Sequence, residues 1–112
     1  MLKIKIDKKV DTIIRELSAE LKALYPDFRG IYLFGSHARG LSGKDSDIDI
    51  AIILNKKLNS ELKREIGRIV YNYDLKYNVF IDEYIFHNQD IIEPITPLRI
   101  NVKSEGIYYD FS

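Results

Sequence analysis

The chain has no cysteine, which excludes disulfides, thiolate nucleophiles and thiolate metal sites. It also lacks net charge: 17 basic and 17 acidic residues cancel. That balance argues against a general affinity for DNA, RNA or an anionic membrane and leaves room only for a local basic patch. No apolar run approaches the roughly 18 to 20 residues needed to span a bilayer. The opening "MLKIKIDKKVD" has neither the apolar stretch nor the small-residue cleavage site of a signal peptide. The two histidines, His37 and His87, are distant from each other, so a zinc site without cysteine is disfavoured. What remains is the expectation of one soluble, cytoplasmic domain over residues 1–112. At 46% hydrophobic and 30% charged, it can build a modest core under a well-solvated surface.

The apolar pattern supplies the elements. After an alternating start (Leu2, Ile4, Ile6), residues Val10, Ile13, Ile14, Leu17, Leu21 and Leu24 fall at helical spacing, with Asp7 or Asp11 to cap the start and Pro26 to close the end. Two β-branched and aromatic runs, Phe28–Phe34 and Ile48–Leu54, read as strands. Asn59 and Ser60 offer caps for a helix burying Leu62, Ile66, Ile69, Val70 and Tyr73, and "YNVFIDEYIF" (Tyr77–Phe86) reads as a third strand. Short helices interrupted by Pro94 and Pro97 and ended by Gly106 follow, then an edge strand in "IYYDF". The order implies an α+β fold, a small mixed sheet backed by helices.

Chemistry concentrates in "YLFGSHARGLSGKDSDIDIAIIL", Tyr32–Leu54. Side chains alternate along a strand, so Asp47 and Asp49 share one face while Ile48, Ile50 and Ile52 share the other. Two carboxylates about 5 Å apart repel by roughly 3 kcal/mol at an effective dielectric near 20. Mg²⁺ removes that repulsion, and it favours one or two carboxylates together with phosphate oxygens and water. Upstream, Gly35 lets the backbone turn and a phosphate approach, Ser36 offers a hydroxyl and an N–H, and Arg39 can neutralise phosphate charge. A third carboxylate would complete a two-metal site for phosphoryl-type transfer. "IDEYI" offers Asp82 and its neighbour Glu83; strand register decides between them, and Asp82 is favoured. Asp45 and Ser46 read as turn formers, and His37 as a residue of the site rim. Gly-Ser, ten residues, then Asp-x-Asp arises by chance in roughly 0.2% of chains this long.

Other readings of the same stretch fail. Ser36 beside His37 suggests a serine hydrolase, but no Gly-x-Ser-x-Gly elbow surrounds it. "GSHARGLS" nearly fits a P-loop, yet Leu41 stands in the lysine position and Lys44 comes too late. For Arg39 a surface salt bridge is the alternative to a phosphate contact. His87 reads as a loop or cap residue. The tyrosines, from Tyr71 to Tyr109, read as core edges or a protein interface rather than as a base-stacking surface, because no basic stripe accompanies them.

"GSHARGLSGKDSDIDIAI", followed by "VFIDEYI" and "PLRINVKSEGIYYDF", resembles the minimal nucleotidyltransferases of the DNA polymerase β-like superfamily over nearly the whole chain. The resemblance implies ATP (or another nucleoside triphosphate) as substrate with Mg²⁺, two ions in the usual arrangement. It further implies Gly35, Ser36 and Arg39 at the triphosphate, and Asp47, Asp49 and Asp82 as metal ligands, with Asp82 helping to deprotonate the acceptor hydroxyl. It also implies pairing with a HEPN-domain toxin, the chain acting as an antitoxin that transfers AMP to a tyrosine of its partner. The alternatives are neutralisation by contact alone, and transfer to RNA or a small molecule.

Overall fold

The structure is a computed structural model that describes residues 6–41, 43 and 46–112. Helix α1 (Lys8–Leu24) starts at Asp7, whose side chain accepts from the N–H groups of Lys9 (2.9 Å) and Val10 (3.2 Å). Those are two of the donors that a helix start leaves without partners. Asp11 lies inside the first turn instead. The predicted stripe is buried from Val10 to Leu21, but Leu24 is 55% exposed and Tyr25, the C-cap, goes inside in its place. Leu2, Ile4, Lys44 and Asp45 lie outside the described residues.

Strands β1 (Phe28–Phe34) and β2 (Ile48–Leu54) have the predicted bounds and pair antiparallel. Helix α3 (Ser60–Tyr77), capped by Asn59 onto Leu62 N–H at 2.8 Å, carries the chain to β3 (Ile81–His87), which pairs parallel with β2. A parallel pair needs such a crossover. The third strand therefore begins four residues later than the sequence predicts. Tyr77 ends α3, and Asn78, at φ +52°, stops the helix in the left-handed conformation that asparagine tolerates. Between β1 and β2 lies the four-residue α2 (Gly35–Ala38); after β3 come α4 (Asn88–Ile92), α5 (Pro97–Glu105) and edge strand β4 (Ile107–Asp110). His87 ends β3 and caps α4, its Nδ1 accepting from Gln89 N–H at 3.0 Å. The sheet order is β3-β2-β1-β4, a mixed sheet with helices packed on it, as expected.

Both faces of the sheet are used. One carries the main core, with Ile48, Ile50, Ile52 and Leu54 of β2 packed among the apolar stripes of α1 and α3. Each such side chain, fully buried, contributes about 1.5–3 kcal/mol. The other face holds a smaller cluster of Ala51, Ile53, Ile91 and Val102, contributed by β2, α4 and α5. The tyrosines tie the seams: Tyr73 donates to Glu20 Oε1 (2.7 Å), Tyr109 to Asp11 Oδ1 (2.7 Å), Tyr77 to Glu16 and Tyr25 to Glu65. No helix of the described residues is long and apolar enough to cross a membrane.

Candidate active site

The second face is apolar only along part of β2. At the start of that strand, Phe34 of β1, Asp49 of β2 and Asp82 of β3 are successive register partners. Directly paired residues send their side chains to the same face, so Asp49 and Asp82 stand side by side. Asp47 precedes β2 on the same alternation and is exposed. Glu83 pairs with Ile50 and follows it to the core face. There it lies against α3, where a methyl group on Gly67 would touch its Oε1 at 3.4 Å. Of the two adjacent acids, register assigns Asp82 to the face of Asp49.

Gly35 closes the other side. Its φ of +71° turns the chain from β1 into α2, and a Cβ there would lie 2.2 Å from Asp49 Oδ2. Only a residue without a side chain lets the backbone pass this close to the carboxylate. Ser36 follows in the first turn of α2, half-buried, with its carbonyl accepting from Leu41 N–H at 2.9 Å. Arg39, the C-cap of α2, is exposed and makes a long ion pair of 3.9 Å with Glu105. Such an exposed pair contributes little to stability. His37 is not at a rim: it is 8% exposed, with Nε2 3.3 Å from the carbonyl of Ser46. Ser46 meets Gly43, whose N–H donates to Ser46 Oγ at 2.8 Å, while Asp45, the other predicted turn former, lies outside the described residues.

The electrostatics follow from this crowding. Burial pushes the Asp49 carboxyl above its ordinary value; Asp82 and Asp47 push it further, against the pull of His37 and Arg39. None of the four ion pairs among the described residues involves Asp47, Asp49 or Asp82. Burial likewise raises Glu83 on the opposite face. Among the described residues no three His, Cys, Asp or Glu side chains form a ready-made metal cage. The donor set instead suits a hard cation that takes one or two carboxylates and completes its shell with phosphate oxygens and water. Asp49 and Asp82, side by side with no ion-pair partner among the described residues and next to a glycine turn, have that character.

Comparison with known proteins agrees with this geometry. A family model described as "Nucleotidyltransferase domain" matches residues 14–109. A Methanocaldococcus jannaschii protein named "Putative protein adenylyltransferase" is 32% identical over 75 residues, covering 66% of this chain and 76% of its own length. Among solved structures, a chain of a toxin–antitoxin crystal structure with AMP-PNP superposes with a TM-score of 0.63 at 24% identity, over 88% of this chain and 70% of that one. A chain from a mutant MntA–HpeT toxin–antitoxin structure gives 0.61 at the same identity and coverage. At these identities the two structures establish a shared fold, while the family match extends from α1 into β4. The chain belongs to the nucleotidyltransferase domain family.

Proposed function

We propose that the chain transfers AMP from ATP to a hydroxyl group of a protein partner, with Mg²⁺ held by Asp47, Asp49 and Asp82. The hydroxyl oxygen bonds to the α-phosphorus as the bond to the β-phosphate breaks and pyrophosphate leaves. The observation that carries this reading is the Asp49–Asp82 register pair beneath Gly35. Gly35 lets a triphosphate come within reach of the carboxylates, and Ser36 offers its N–H and hydroxyl at the start of α2. Arg39 sits where it can exchange its weak contact with Glu105 for a phosphate. When bound, two Mg²⁺ ions would neutralise the carboxylates and clamp the attacking and leaving oxygens of the displacement. Asp82 is the carboxylate proposed to take the acceptor proton. AMP is favoured as the transferred group because a 32% identical relative is named as a protein adenylyltransferase. A HEPN-type toxin is the favoured partner, since the fold matches chains of toxin–antitoxin structures, one of them with AMP-PNP.

The test is Mg²⁺-dependent transfer of labelled AMP to the partner, compared with Asp47→Asn/Asp49→Asn. Labelling is expected with the native chain and lost in the double variant; equal labelling by both would overturn the metal assignment. A second reading, neutralisation of the toxin by contact alone, predicts that the double variant still protects cells from the partner.

A further inference from the structure

The row of the sheet directly below the carboxylates consists of Tyr32, Ala51 and Tyr84, again register partners. Ala51 is fully buried and small. The Tyr84 ring lies 5.7 Å from that of Phe34, across β2, and stacks at 6.3 Å and 21° on Phe86 of its own strand. These two rings give it a defined seat at the edge of the second apolar cluster, which Phe34 and Phe86 also join. From that seat its hydroxyl donates to Asp82 Oδ2 at 3.1 Å.

We propose that Tyr84 is a positioning residue of this site, its hydroxyl holding the Asp82 carboxylate in the orientation that presents the remaining oxygen to a cation. The inference rests on the reading of Asp82 as a metal ligand and extends it by one residue. A carboxylate beside a second carboxylate tends to rotate away from it. A donor on one oxygen, fixed by two aromatic neighbours, opposes that rotation. Tyr84 adds no positive charge, so the attraction of the Asp49–Asp82 pair for a cation is kept, where a lysine or arginine at the same place would cancel it. Phenylalanine would fill the same seat without the hydroxyl, which makes the donor separable from the packing.

The test uses the intact chain with Mn²⁺ as probe and a non-hydrolysable ATP analogue, Mn²⁺ affinity being read by electron paramagnetic resonance. Tyr84→Phe is expected to weaken Mn²⁺ binding about tenfold and to lower kcat for AMP transfer by a similar factor, with KM for ATP changed less than about twofold. Phe34→Leu, which loosens the ring but keeps the hydroxyl, is expected to give a smaller loss in the same direction. Wild-type Mn²⁺ affinity and kcat in Tyr84→Phe would overturn the proposal, as would a lowered Tm with no other change. If Asp49→Asn loses Mn²⁺ and Tyr84→Phe does not, the inference about Tyr84 fails alone. If the native chain binds no Mn²⁺ with the analogue, the metal reading fails and the inference falls with it.

Discussion

Asp49 and Asp82 are direct register partners in the parallel β2–β3 pair, and their neighbours Ile50 and Glu83 are partners on the opposite face. This single relationship separates two adjacent acids that differ by one methylene. It predicts that Asp82→Asn lowers AMP transfer by about two orders of magnitude or more. Glu83→Gln, on the α3 side, is expected to retain most activity. Transfer kinetics of the two variants side by side check this; the reverse ranking would mean that the strand register is wrong.

The Asp49 carboxyl is half-buried beside like charges, so the residue proposed to hold the metal also costs the metal-free fold stability. Asp49→Asn is expected to raise the Tm of the metal-free chain at neutral pH by about 2–4 °C while removing transfer activity. Differential scanning calorimetry with and without chelator measures it. Added Mg²⁺ and ATP should stabilise the native chain and leave the variant unchanged.

Gly35 is constrained twice, by its left-handed φ and by the side chain of Asp49. Gly35→Ala is expected to cost about 1–2 kcal/mol in backbone strain alone, a fall of about 4–8 °C in Tm. The displaced Asp49 carboxylate should also weaken nucleotide binding, measurable by isothermal titration calorimetry. Unchanged affinity would show that the close approach has no bearing on the ligand.

Acid stability should depend on the tyrosine seams. The hydrogen bond from Tyr109 holds the Asp11 carboxyl below its ordinary value, with Arg15 adding to the effect, and the Tyr77 hydroxyl does the same for Glu16 with help from Lys76. A carboxyl lowered by folding stabilises above its unfolded pKa, and that contribution is lost as pH falls through the folded value. Between about pH 5 and pH 2 the Tm of the native chain should therefore fall more steeply than that of Tyr109→Phe. A pH series of thermal melts distinguishes the two slopes.

Much of this molecule follows from local chemistry. Asp7 and Asn59 cap their helices because short polar side chains meet unpaired N–H groups. Phe28–Phe34 and Ile48–Leu54 form strands with the predicted ends because their apolar runs stop at Gly35, and at an acidic turn and a polar loop. The Gly-Ser and Asp-x-Asp residues point to the family through type and spacing, and the family model matches across them. Where local signals compete, the reading slips. Tyr77 looks like the start of a strand but closes α3, since Asn78 supplies the left-handed stop and Glu16, 61 positions away, takes its hydroxyl. Leu24 continues the stripe of α1, yet Tyr25 takes the buried place. His37 looks like a rim residue and is buried beside Ser46. The choice between Asp82 and Glu83 had no local signal at all. It is made by the pairing of β3 with β2 across an 18-residue helix, because a slip of one residue would exchange the faces of both acids. The sequence by itself determined which residue types stand in the candidate site, and strand alternation puts Tyr84 on the face of Asp82; the tertiary pairing decided which carboxylates face each other.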